Sequence, residues 1–243
     1  MSDRTVTYDR FLKRVCPMTG IVYADLSADD KELFEAFFNR AIRRIWESVP
    51  WPEVSVLEAR TPSSNLVAFE QSGETAIELF YAIYDKDPQA STSYKRLSYD
   101  ISSSGAYLVY PDQTTSAVYV WYQKQVPDYY GDDYSGSTTY EIGDQVFYST
   151  TGDYYKCTAQ TAGNAPTETA YWERLTIPYR FLDYCVTLTY ADWLRQDDQH
   201  AKADGMERLA QDILLREQDR LERQEGYAMP PVVQTHLSQF DNT

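Results

Sequence analysis

The sequence predicts an α+β fold: a helical body with an antiparallel β region, into which a small all-β module is inserted. Three observations lead there. Apolar residues recur at helical spacing from Ser27 to Val49 and again after Pro178. Strand-like runs separated by turn residues fill Val54 to Val126. A tyrosine-rich stretch from Tyr140 to Leu175 then crowds several strand and turn signals together.

The first long helix is the clearest element. Ser27 followed by Asp30 reads as a capping box, and Leu33, Phe34, Phe37, Phe38, Ala41, Ile42, Ile45, Trp46 and Val49 follow at three- and four-residue spacing. Arg40, Arg43, Arg44 and Glu47 supply its polar side, and Pro50 and Pro52 stop it. Ahead of it, Tyr8 to Val15 reads as a short helix ended near Pro17. Strands are expected at Leu66 to Phe69, Ala76 to Tyr84, Tyr94 to Tyr99, Tyr107 to Tyr110 and Ala117 to Gln123. In the last, Val118, Val120 and Tyr122 alternate with Tyr119 and Trp121, as in a strand with two differently occupied faces.

Asp128 to Thr139 lacks apolar periodicity and reads as a linker. After Ile177-Pro178, with Thr176 as its N-cap, a second helical region runs to about Asp197. A third spans about Ala201 to Glu225, carrying Met206, Leu209, Ile213 and Leu214 amid dense charge, with Gly226 as its C-cap. A helix so polar is either solvated or lies against other subunits. The chain thus divides into a body at 1–134 and 176–226, an inserted module at 135–175, and a C-terminal extended tail at 227–243.

Composition narrows function. Hydrophobic residues at 43% and charged residues at 24% are ordinary for a folded chain, whereas 22 tyrosines and a net charge of −15 are not. An acidic surface repels phosphates, which argues against tight nucleic-acid or anionic-membrane binding. No apolar run is long enough to span a membrane, and Met1 to Asp9 lacks the apolar segment of a secretion signal. Cys16, Cys157 and Cys185 have no paired spacing and read as buried thiols rather than zinc ligands.

Catalysis finds little support. His200 and His236 stand outside any motif, and no glycine-rich phosphate loop occurs. Of the paired carboxylates, Asp29-Asp30 suits the first turn of a helix, Asp132-Asp133 lacks a full calcium-ligand spacing, and Asp197-Asp198 reads as a solvated helix end. No catalytic residue, cofactor or metal ligand is expected.

The run Tyr140-Glu-Ile-Gly-Asp-Gln-Val146, then Tyr155-Lys-Cys157, Thr161-Ala-Gly163, Pro166 and Trp172 resembles the small carbohydrate-binding module appended to bacterial chitinases. Where such modules hold sugar, exposed aromatic rings stack on pyranose faces. The resemblance implies Tyr148, Tyr154 and Trp172 as glycan contacts, with Tyr140, Tyr155 and Trp172 also suited to a core. The positions that often carry the sugar platform read Thr158-Ala159-Gln160 here, a departure from that pattern.

The rest of the chain resembles, in order and texture, the head-to-tail adaptor proteins of tailed bacteriophages. The likeness rests on the helix ending in Ile45-Trp46-Glu47, on Val118 to Pro127, on Ile177-Pro-Tyr-Arg-Phe-Leu-Asp183 entering a helix with Ala191-Asp-Trp-Leu-Arg195, and on the charged final helix. It implies a virion neck protein, assembled in the host cytoplasm as a dodecameric ring beneath the portal protein. A downstream tail or neck protein would join it, and DNA would pass through the lumen without sequence-specific binding. The tail would dock into the portal through Tyr227, Met229, Pro230, Val232, Leu237 and Phe240. The competing reading is a glycan-binding adhesin that holds a host surface glycan through the inserted module. A polysaccharide-degrading enzyme with the module as its targeting arm ranks below both.

Overall fold

A computed structural model describes residues 4–71, 75–109 and 117–223. The fold is α+β. Two compact units make it up, one from Met1–Val49 with Val126–Asp219, the other built on Pro50–Gln125. This partition differs from the expected one. The tyrosine-rich module belongs with the helices, and the β region stands as a unit of its own.

In the helical unit, β1 (Thr5–Thr7) leads directly into α1 (Tyr8–Thr19), which buries Tyr8, Phe11, Leu12, Val15 and Cys16 on one face. The helix continues past Pro17, which forfeits one N–H near the C-terminal end. Left-handed Gly20 ends it, returning its N–H to the Cys16 carbonyl. α2 (Ala28–Trp46) starts at the expected Ser27/Asp30 capping box and buries Phe34, Phe38, Ala41, Ile42, Ile45 and Trp46.

Thr176 is not a helix cap. It opens β13 (Thr176–Pro178), which pairs antiparallel with β1, and Tyr179 N–H extends the pairing to Arg4 O at 2.8 Å. A single 3-10 turn then leads into α3 (Leu182–Gln196), a mostly buried helix, as the apolar run predicts. α4 (His200–Glu222) follows after a turn with Asp198 at φ 54°. The expected cap at Gly226 lies outside the described residues.

The second unit pairs two three-stranded antiparallel sheets. One has the order β2 (Ser55–Arg60), β7 (Val118–Lys124), β4 (Ile77–Tyr84). The other has the order β3 (Leu66–Ala68), β6 (Gly105–Leu108), β5 (Tyr99–Ser102). Between them lie Val67, Ile77, Phe80, Ile83, Ala106, Leu108, Val118, Val120 and Tyr122. Trp121 faces the other way, packed with Ala82 and Tyr84, so the alternation in β7 is realised as expected. A bulge between Phe80 and Ala82 explains why Phe80 and Ile83 share a face despite their spacing.

The strands depart from the expected set in two places. β2 does not follow from the apolar pattern, which Glu58 and Arg60 interrupt. Arg60 is nonetheless buried, donating to Thr75 O at 2.6 Å, Tyr122 Oη at 2.9 Å and Glu58 Oε1 at 2.8 Å. Of Tyr94 to Tyr99, only Tyr99 is in a strand, and that strand extends onward to Ser102.

Gly105 sits where β6 meets β3, with φ at 144°, and a Cβ there would run into the Val67 carbonyl and the Ala68 backbone. Gly105→Ala is therefore expected to cost about 2 kcal/mol or more and to lower the thermal midpoint by on the order of 5 °C. Gly136→Ala, where the nearest atom is the Tyr134 hydroxyl at 3.8 Å, should leave the melting curve unchanged. Equal midpoints for the two variants in differential scanning calorimetry would contradict this reading.

Candidate functional site

Five short strands build the module: β8 (Thr139–Tyr140), β9 (Gln145–Tyr148), β10 (Asp153–Cys157), β11 (Thr161–Ala162) and β12 (Trp172–Arg174). They form the sheets β12-β10-β9 and β11-β8. Between them Tyr140, Val146, Tyr155, Cys157 and Trp172 are buried together, with Tyr134, Tyr148 and Tyr171 against them. Tyr134 stacks on Tyr140 at 5.6 Å between ring centroids, and Trp172 meets Tyr140 edge-on at 5.2 Å. A unit this small has little aliphatic surface to bury, so aromatic rings form its core.

The motif residues have identifiable tasks. Asn164 O accepts both Tyr134 Oη at 3.0 Å and Trp172 Nε1 at 3.1 Å, while its amide donates to Thr161 Oγ1 at 2.7 Å. The Thr161 to Pro166 turn is therefore the anchor of the aromatic core. Asp144 accepts the Glu141 N–H at 2.7 Å through its side chain and the Cys157 N–H at 2.7 Å through its carbonyl, closing the first turn onto β10.

The expected glycan contacts are not exposed rings. Trp172 is 2% exposed and Tyr154 is 4% exposed. Tyr148 is half-buried, edge-on to Tyr134 at 5.7 Å and to Tyr155 at 6.2 Å. At the platform positions, Thr158 and Gln160 are exposed and Gln160 donates to Glu141 at 2.6 Å. Tyr227, Met229, Pro230, Val232, Leu237 and Phe240, expected to dock the portal, lie outside the described residues, as does His236.

Tyr154 is buried because β10 alternates. Tyr155 and Cys157 face the module's core, and Tyr154 faces the helices. There it meets Tyr8 edge-on at 5.1 Å, Tyr129 at 5.7 Å and Phe147 at 5.1 Å, and its hydroxyl donates to Glu35 of α2. Lys31 lies over the Phe147 ring at 5.3 Å. The hydroxyls of Tyr8 and Tyr129 are buried without a hydrogen-bond partner, so ring packing rather than polar pairing holds that side of the cluster.

The stretch that reads as a linker is a strap across this junction. Tyr129 is fully buried, and Asn39 of α2 brackets its backbone, donating to Tyr129 O at 2.7 Å and accepting its N–H at 2.9 Å. Further on, the strap runs alongside β9: Phe147 N–H donates to Asp132 O at 2.9 Å and Tyr134 N–H to Phe147 O at 2.8 Å. No apolar periodicity marks it because most of its anchoring is through backbone atoms.

A second contact joins β10 to the start of α1. Buried Asp153 accepts the Asp9 N–H at 2.9 Å, an unpaired donor of the helix's first turn. Asp9 in turn accepts from Tyr23 Oη at 2.5 Å and pairs with Lys13 at 2.8 Å. Burial pushes the Asp153 carboxyl up, opposed by the Asp9 N–H and by Arg174 at 3.8 Å. Burial likewise raises Glu35, opposed by the Tyr154 hydroxyl and reinforced by Asp128 and Glu32.

The third polar cluster lies among α2, α3 and α4. Buried Asp192 faces Arg40 at 3.3 Å and Arg195 at 3.2 Å. Glu207 binds Arg195 and also Arg44, the latter at 2.9 Å. Burial raises Asp192 despite both arginines, whereas hydrogen bonds from Arg44 and Arg195 lower Glu207. The network ties the outer helix to the other two.

The three cysteines are free and buried, and burial pushes the Cys16 thiol up to about 11. Burial raises Cys157 and Cys185 as well, so the surroundings of none of the three favour the thiolate. His200 is exposed, 3.8 Å from Asp198. Among the described residues, no group of three or more histidine, cysteine or acidic side chains is placed to hold a metal ion, and no helix is long and apolar enough to cross a membrane. Neither protein-family models nor curated proteins match the chain.

Two predictions come from the junction. Tyr154→Phe removes the donor to half-buried Glu35 and should cost about 1–3 kcal/mol, and Tyr154→Phe combined with Glu35→Leu should recover part of that loss. Urea denaturation reads both, and a Tyr154→Phe protein as stable as the wild type would refute the assignment.

The second prediction concerns pH. Glu35, Asp153 and Asp192 have folded pKa values above their unfolded ones, so the folded state holds more protons. Their contribution to stability falls as pH rises through the interval just above the ordinary carboxylate pKa of about 4. Asp153→Asn keeps an acceptor for the Asp9 N–H and should flatten that decline in thermal midpoint between mildly acidic and neutral pH. An unchanged slope would show that Asp153 does not titrate as described.

Proposed function

We propose that the chain is a non-catalytic structural subunit that self-assembles into a ring, acting as a head-to-tail adaptor between the portal and the tail of a bacteriophage virion. The observation that carries the assembly part is α4. Of its 23 residues, Ala203, Ala210, Leu214 and Leu221 are buried, while Leu209 and Leu215 stand exposed among charges. A helix this long gains most of its stability from tertiary packing, and a narrow buried stripe with apolar side chains left outside suits packing against another copy.

The helix–sheet–module–helix order and the charge support the adaptor reading. About twelve copies at −15 each would carry on the order of −180 charges, and a lumen with its share would repel DNA phosphates and let the duplex slide. The module acts in this reading as a brace between the ends of the helical unit. The burial of Trp172 and Tyr154 weighs toward this bracing role over the glycan-binding reading.

Native mass spectrometry of the full chain, alone and mixed with portal rings, together with negative-stain images, tests the proposal. A ring in either condition is the expected result. A protein that remains monomeric in both would overturn it.

A further inference from the structure

We infer that the ring is closed by a head-to-tail electrostatic contact, in which the outer face of α1 on one copy docks on the acidic strap of the next. The inference rests on the ring reading above and adds a polar contact to the apolar packing of α4.

The start of the chain inverts the overall charge. In a chain of −15, residues 4–19 carry Arg4, Arg10, Lys13 and Arg14 against the single acid Asp9. All four cations are exposed. They are only partly neutralised within the molecule. Lys13 pairs with Asp9 and Arg14 with Asp183, itself well exposed, whereas Arg4 and Arg10 make no ion pair among the described residues. Arg10 instead lies over the ring of exposed Tyr179 at 5.2 Å. Met18, 37% exposed, continues the same face. A guanidinium held on an open aromatic ring, with an exposed methionine about two turns further along the same face, matches the composition enriched in protein interfaces.

The complementary surface is the strap. From Val126 to Tyr155 there is no lysine or arginine. Asp128, Asp132 and Asp133 are exposed and make no ion pair among the described residues, and Tyr130 between them is 49% exposed. Glu32 on α2 is exposed too, and both it and Asp128 are close enough to help raise Glu35.

The two surfaces are held apart within one molecule. Tyr8 on the inner face of α1 stacks on the strap's Tyr129 at 5.7 Å, with both rings buried. Arg10, Lys13 and Arg14 lie on the side of α1 opposite its buried face, and among the described residues no ion pair joins them to Asp128, Asp132 or Asp133. One copy cannot satisfy both surfaces with itself. A second copy can satisfy one of them, and because the contact uses two different patches it repeats until a ring closes.

A charge-swap experiment tests this, carried out in whichever condition, alone or on the portal, assembles the wild-type protein. Arg10→Glu with Arg14→Glu should leave monomers, and so should Asp128→Lys with Asp132→Lys. Circular dichroism and thermal melts show that each pair still folds. Mixed in equal amounts, the two variants should assemble into rings of alternating copies, since every contact then regains opposite charges. Rings formed by either variant alone, or no rescue on mixing two folded variants, would overturn the inference while leaving a wild-type ring standing. Failure of the wild type to assemble would remove the ring reading and this contact together. Unchanged ring mass with weakened retention on a short DNA duplex would assign the α1 face to nucleic acid instead and equally overturn it.

Discussion

The fold of the helical unit depends on one strand having a core on each face. β10 sends Tyr155 and Cys157 into the aromatic interior of the module and Tyr154 into the interior of the helices. Because side chains alternate strictly along a strand, neither face can be changed without moving the other. A slip of one residue would turn Tyr155 toward Glu35 and Tyr154 toward the aromatic interior of the module. The module is therefore a part of the helical core that happens to be built from strands, which explains why it clusters with α1 to α3 rather than standing apart.

The polar contacts around this strand fix direction more than they add stability. Asn39 grips both backbone atoms of Tyr129, and Asp153 meets the first turn of α1, so the strap and β10 are each pinned at a point where a backbone donor or acceptor had no other partner. Desolvation offsets much of what such contacts contribute, as the raised Glu35, Asp153 and Asp192 carboxyls show. Their effect is specificity: apolar rings alone would pack in several registers, and these carboxylates and amides accept only one.

The main helices are legible in the sequence because each combines a periodic apolar face with a chemical start or stop, such as Ser27/Asp30 for α2. β7 is legible for the same reason, with two distinct faces along its length. The failures share a cause, which is that the deciding partner is remote in sequence. Thr176 looks like a helix cap until β1, from the other end of the chain, pairs with it. Asp128 to Thr139 looks like a linker because its anchor is a side chain on α2 and its hydrogen bonds go to backbone. The burial of Arg60 leaves no mark in the sequence because Tyr122 Oη and Thr75 O, which receive it, lie on other segments. Tyr154 and Trp172 carry the signature of a sugar-binding surface, yet their composition does not distinguish a ring that stacks on a ligand from one that stacks on its neighbours. That choice is made by strand register and by the Asn164 carbonyl.

A net charge of −15 opposes self-association when taken as a whole, but the total is the wrong quantity. Screening at physiological salt limits the reach of exposed charges to about 8 Å, so two copies approaching face to face respond to the patches that meet and scarcely to those on their far sides. A basic α1 face meeting an acidic strap is locally attractive even while the whole molecules repel. The same separation of scales orients the approach, since every pairing other than basic on acidic brings like charges together. An acidic chain with a basic face on α1 is thus better fitted to a directional contact between copies than a neutral chain would be.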